Sequence, residues 1–203
     1  SAHCRAVAFG NPVSWTLPNI LTFLRVMCIP LLVGAFYLAG PFTGLTCAAI
    51  FILAAVTDWL DGWLARILDQ ESDFGAFLDP VADKLIVATA LVLLVDHYDS
   101  LWITLGAIVI IGREILISAL REWMARRGDS QSVAVTVIAK FKTTLQMVAI
   151  ILLLWRVDEG FGDPWLLLGL VSLGIAVVLT LWSMWHYLEV MLKTPVENSP
   201  SAD

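Results

Sequence analysis

Apolar residues run almost unbroken through positions 20–39, 43–68, 80–97, 101–125, 135–155 and 164–191. Every gap between these runs carries a break signal: Gly40-Pro41, the acidic stretch from Asp69 to Asp73 ahead of Asp79-Pro80, Asp96 to Ser100, Arg126 to Ser132, and Asp158 to Pro164. Crossing the roughly 30 Å hydrocarbon core of a bilayer takes about 20 residues of helix. The pattern predicts six transmembrane helices in one all-α integral membrane domain over 17–193. A short cytoplasmic segment at 1–16 precedes it, and a polar tail at 194–203, too poor in apolar surface to order itself, follows it.

Composition changes the picture only by excluding alternatives. Of 203 residues 59% are apolar and 15% charged, with mean hydropathy +0.84, which rules out an ordinary soluble domain. The net charge of -6 argues against nucleic acid as a partner, but the placement of charge says more. With the N-terminus in the cytoplasm, the far-side loops fall near 40, 98 and 160, and of 12 Lys and Arg residues only Arg156 lies beside one. Both termini are therefore predicted to be cytoplasmic. No basic region followed by an apolar run and cleavage site opens the chain, so no removable signal peptide is expected. Cys4, Cys28 and Cys47 lack metal-ligand spacing and predict neither a disulfide nor a zinc site.

The chemistry concentrates between Asp58 and Asp83. Asp58 and Asp61 are three apart on the second predicted helix, and Asp79 and Asp83 four apart on the third, so each pair shares a face. One such acid at the centre of a bilayer costs a few kcal/mol, and intramembrane acids accordingly line cavities, pair or bind ions. Two helices in contact would pool four carboxylates, a donor set for hard cations such as Mg2+ or Mn2+, of which two can clamp the oxygens of a phosphoryl displacement. Gly62 and Ala65 either serve close helix packing or leave room for a ligand beside the cation Arg66. Asp79, ahead of Pro80, also reads as a helix N-cap. Asp69, Glu71 and Asp73 read as solvated loop charges.

The segment resembles the signature of the CDP-alcohol phosphotransferase family, D-x2-D-G-x2-A-R-x8-G-x3-D-x3-D. It matches at Asp58, Asp61, Gly62, Ala65, Arg66, Gly75, Asp79 and Asp83. Further stretches at 17–25, 74–84 and 113–123 are similar to the bacterial branch that makes phosphatidylglycerophosphate. The resemblance implies a six-helix fold with a polar cavity facing the cytoplasm, in the bacterial inner membrane and commonly as a homodimer. It implies transfer of a phosphatidyl group from CDP-diacylglycerol to glycerol 3-phosphate. Asp58, Asp61 and Asp79 would bind two metal ions, Mg2+ or Mn2+. Asp83 would complete that site and act as general base, and Gly62, Ala65, Arg66 and Gly75 would shape the CDP pocket. An alcohol is a poor nucleophile at neutral pH and needs such a base.

Glycerol 3-phosphate is a dianion and calls for a cationic pocket. Arg113 interrupts the fourth apolar run, Lys140 and Lys142 open the fifth, and Arg25 lies one turn inside the first; all are candidates for its phosphate. Their alternative role is to snorkel to lipid headgroups, which suits the helix-end pair Arg126 and Arg127 best. Asn19, Thr22 and Arg25 share a helical face and are candidates for nucleotide or acceptor phosphate, Asn19 alternatively as a cap. Trp15, Trp102, Trp155, Trp165 and Tyr187 are expected at the membrane interfaces.

Two other readings compete. The shared signature admits a sister enzyme whose acceptor is phosphatidylglycerol, serine or an inositol derivative. Membrane acids also line cation transporters, yet here all four lie towards one membrane face, and the halves show no matched broken helices.

Overall fold

The computed structural model of the protein describes residues 17–38, 40–68, 73–126, 137–159 and 162–193, with side chains at 20–38, 40–60, 78–120, 122, 142–159 and 162–185. Among the described residues all regular structure is helical: α1 (Leu17–Leu38), a 3-10 turn (Gly40–Phe42), α2 (Thr43–Leu68), α3 (Asp73–Tyr98), α4 (Leu101–Arg126), α5 (Val137–Trp155) and α6 (Pro164–Lys193). Each predicted apolar run maps to one helix. Among the described residues, four stretches are long and apolar enough to cross a bilayer: Ile20–Leu38, Gly40–Leu60, Leu101–Leu120 and Pro164–Trp185. In α3 the apolar sequence is interrupted by Asp79, Asp83, Lys84 and Asp96. The apolar part of α5, Lys142–Trp155, covers roughly 21 Å at 1.5 Å per residue. The segments 1–16 and 194–203 lie outside the described residues.

One expectation is corrected. Asp79-Pro80 reads as a helix start, but α3 begins at Asp73 and carries Pro80 in its interior. Asp79 is therefore not an N-cap. The helix runs through the proline, which removes a single rung of the ladder. Pro30 does the same in α1.

The chain divides into two compact units, residues 1–93 and 94–203. In the first, α1 and α2 pack as a hairpin. The reversal uses Gly40 at φ +66°, where a side chain would be strained, and Thr43 Oγ1 donates to the Gly40 carbonyl at 2.6 Å. Cys28, Leu32, Cys47, Ala48, Phe51 and Ala54 are buried, and the small residues of α2 allow close backbone approach. Phe23, Met27 and Leu31 recur every turn on the opposite, exposed face of α1, as a lipid-facing helix requires.

In the second unit α6 packs on both α5 and α4. Gly169 presses against α5: a Cβ there would lie 3.1 Å from Leu153 Cδ2 and 3.3 Å from Leu152 Cβ. Gly106 of α4 similarly approaches Leu173 and Val177. Asp99, at φ 42°, ends α3, its N–H bonding the Val95 carbonyl at 3.3 Å. The buried Tyr98 then donates its hydroxyl to the Leu153 carbonyl at 2.9 Å. Between α5 and α6, Arg156 stacks 4.0 Å over the Trp155 ring and reaches Asp163 Oδ2 at 3.1 Å, closing the turn.

Candidate functional site

In the first unit, one turn of α1 touches both carboxylate-bearing helices. Arg25 is wholly buried, and its Nη1 lies 3.0 Å from Asp58 Oδ1 on α2. Thr22, three residues earlier on the same face, is also buried and donates its hydroxyl to Asp79 Oδ1 on α3. Residues three apart on a helix stand side by side, so the Thr22–Arg25 face brings Asp58 and Asp79 to one place. Asp58 keeps 45% of its side chain exposed, enough to receive a ligand while held from behind by the guanidinium. Asp83 follows Asp79 by one turn and is partly exposed.

The side chains of Asn19, Asp61, Gly62, Ala65, Arg66 and Gly75 lie outside the described ones. Their backbones place Asn19 on α1, Asp61 to Arg66 on α2 and Gly75 on α3. Among the described residues, no three acidic, His or Cys side chains converge as a metal-holding group. The donors that are described, Asp58, Asp79 and Asp83, offer hard carboxylate oxygens, the chemistry that suits a divalent cation bound with phosphate oxygens.

The second unit holds a cationic group. Arg113 of α4 pairs with its neighbour Glu114, Nη1 to Oε1 at 2.6 Å, with 10% of its side chain exposed. Lys142 of α5 is 1% exposed, lies within electrostatic reach of both, and its Nζ has no hydrogen-bond partner among the described residues. Such burial excludes snorkelling for Lys142, since a snorkelling lysine keeps its ammonium in water. The side chain of Lys140 lies outside the described ones.

Sequence reasoning directs Thr22 and Arg25 to substrate phosphates and misses their contacts with Asp79 and Asp58. The only available signal was their shared helical face. The pairing of Arg113 with Glu114 is likewise absent from the sequence reading, and adjacency in the chain was its one signal. Trp102, Trp155 and Trp165 are exposed near helix ends, while Trp15 and Tyr187 fall outside the described side chains.

A family model described as CDP-alcohol phosphatidyltransferase matches residues 15–182. A protein of Sodalis glossinidius named CDP-diacylglycerol--glycerol-3-phosphate 3-phosphatidyltransferase is 56% identical over 172 residues, 85% of this chain and 92% of that protein. Proteins of the same name from Pectobacterium atrosepticum and Yersinia enterocolitica are 54% and 52% identical, covering 87% and 89% of this chain and 94% and 97% of their own lengths.

Proposed function

The chain belongs to the CDP-alcohol phosphatidyltransferase family, and from that premise we propose that it transfers the phosphatidyl group of CDP-diacylglycerol to glycerol 3-phosphate, releasing CMP. The reading is carried by identity of 52–56% with relatives whose name states this acceptor, over nearly their whole lengths. The signature acids from Asp58 to Asp83, the buried Lys142 and the partly exposed Arg113 supply chemistry that matches it.

Asp58, Asp61, Asp79 and Asp83 are the residues that would hold two divalent ions, Mg2+ or Mn2+. When bound, such ions polarise the pyrophosphate and stabilise charge on the departing CMP. The remaining work falls to the chain. Arg25 and Thr22 fix the orientation of Asp58 and Asp79. Asp83 takes the proton from the acceptor's hydroxyl as its oxygen bonds to the phosphorus bearing diacylglycerol, and the bond from that phosphorus to the CMP oxygen breaks. Gly62, Ala65, Arg66 and Gly75, with Asn19 and Thr22, contribute to the CDP-diacylglycerol site. Arg113, Lys140 and Lys142 hold the acceptor's phosphate, and Arg25 adds positive charge beside Asp58. The enzyme works as a homodimer in the bacterial cytoplasmic membrane, with termini and reaction on the cytoplasmic side, where the flanking Lys and Arg residues cluster.

The test is CMP release by the purified protein in detergent with Mg2+, comparing glycerol 3-phosphate with glycerol, serine, inositol phosphate and phosphatidylglycerol. Turnover with glycerol 3-phosphate alone is expected. Turnover with another acceptor and none with glycerol 3-phosphate would keep the family chemistry and reject the acceptor.

A further inference from the structure

Other helical threonines have a visible partner for the hydroxyl. Thr46, Thr57, Thr89 and Thr104 each turn it back onto a carbonyl three or four residues earlier, at Phe42, Ala54, Leu85 and Ser100, and Thr22 donates to Asp79 on α3. Thr180 of α6 is 1% exposed, yet its Oγ1 has no hydrogen-bond partner among the described residues. A buried hydroxyl left unsatisfied costs about 1–3 kcal/mol, so it calls for an account.

The helix registers show what it faces. Leu153 of α5 lies against Gly169 of α6 across an antiparallel hairpin. Counting back from Leu153 to Lys142, and on from Gly169 to Thr180, is eleven residues each way. Eleven residues are about three turns, so both positions return to the faces already in contact, and Lys142 stands level with Thr180. The same holds for α4. Its first turn lies at the end of the unit where Tyr98 bonds Leu153, which is also where α6 begins, so α4 and α6 run in the same direction. Gly106 meets Leu173, and seven residues, about two turns, on from each are Arg113 and Thr180. One level of the second unit therefore gathers Arg113 Nε, Lys142 Nζ and Thr180 Oγ1 from three different helices. All three are buried donors without a hydrogen-bond partner among the described residues.

We propose that Thr180 is a donor to the phosphate of the acceptor, acting with Lys142 and Arg113 as the third wall of that subsite. This rests on the acceptor reading above and deepens it. A phosphate monoester dianion presents three terminal oxygens, and donors converging from three helices discriminate it from a neutral alcohol. An apolar or singly charged ligand would leave part of the donor set unanswered. The hydroxyl, uncharged, adds direction where the two cations supply charge.

The experiment uses the full-length protein in detergent with Thr180→Val, which keeps shape and removes the hydroxyl, Thr180→Ser, which retains it, and Lys142→Met. For Thr180→Val the KM for glycerol 3-phosphate should rise about tenfold or more, as expected for one hydrogen bond to a charged group. Its KM for CDP-diacylglycerol should stay within about twofold. Thr180→Ser should remain close to wild type, and the rise in thermal midpoint that glycerol 3-phosphate gives the wild type should shrink in Thr180→Val. If Lys142→Met raises the KM for glycerol 3-phosphate and Thr180→Val does not, Thr180 is structural and the proposal falls while the acceptor reading stands. If neither variant changes it, the assignment of Lys142 and Thr180 to the phosphate subsite falls, while turnover of glycerol 3-phosphate by the wild type decides the acceptor reading separately. Equal effects of Thr180→Val on both substrates, or a Thr180→Ser variant as impaired as Thr180→Val, would likewise assign Thr180 to packing alone.

Discussion

Lys142→Met should change the protein in two opposite directions at once. The ammonium is 1% exposed and has no hydrogen-bond partner among the described residues. Its nearby countercharge, Glu114, is already engaged by Arg113 at 2.6 Å. Holding a charge in such a place costs several kcal/mol, and replacing buried ions by apolar groups of similar volume often stabilises a protein by about 1–4 kcal/mol. Methionine matches the length of the lysine stem. In a chain of this size each kcal/mol moves the thermal midpoint by roughly 2–4 °C, so the variant without ligand should melt several degrees above wild type. The same substitution removes a charge-assisted contact of about 1.5–3 kcal/mol to the acceptor's phosphate, so the KM for glycerol 3-phosphate should rise about 10- to 150-fold. Thermal unfolding in detergent micelles, with and without glycerol 3-phosphate, reads both effects. A lower midpoint without ligand, together with an undiminished shift on adding it, would refute the idea that Lys142 is kept unpaired for a substrate.

Four further outcomes follow from particular contacts. Arg25→Met strips Asp58 of its buried cation and should destabilise the protein by about 2 kcal/mol, towards the low end for a broken ion pair because Asp58 is half exposed; the midpoint should fall correspondingly. Gly169→Leu forces a side chain against Leu152 and Leu153 and should cost about 1–3 kcal/mol, whereas Gly174→Ala, which has open space inside α6, should stabilise by about 0.5–1 kcal/mol in the same melt. Asp83→Asn should lower kcat by about 10²–10⁴ in CMP-release assays. Burial first, then Asp158 and Asp163, holds the Tyr98 phenol above the ordinary tyrosine range. The folded state thus keeps it neutral while the unfolded chain ionises near pH 10, so stability falls as the pH rises through about 10. Tyr98→Phe should remove part of that alkaline decline, at a cost of about 1 kcal/mol at neutral pH from the lost bond to the Leu153 carbonyl.

The helices were legible because apolar runs separated by Gly, Pro and charged breaks mark their extents, and each of the six runs maps to one helix. The start of α3 differs from the reading because Asp-Pro is a strong local cap signal, and a proline inside a helix costs one rung that the rest of the helix tolerates. The acids at 58, 79 and 83 were legible through their spacing. What they touch was not, since the contacts of Asp58 with Arg25 and of Asp79 with Thr22 join residues far apart in the chain, and spacing within one helix carries no information about its neighbours. Thr180 escaped for a related reason. A threonine in an apolar helix says little by itself, and its significance appears only when the registers of α4, α5 and α6 bring it level with Arg113 and the buried Lys142.

The central claim is the identity of the acceptor, and the most direct measurement follows the acceptor's atoms into the lipid. Purified protein would be incubated with CDP-diacylglycerol, Mg2+ and carbon-13-labelled glycerol 3-phosphate, and the lipid extract analysed by mass spectrometry. The account predicts labelled phosphatidylglycerophosphate formed in step with CMP. CMP release with no label in any lipid, or a labelled lipid lacking the acceptor's phosphate, would contradict it.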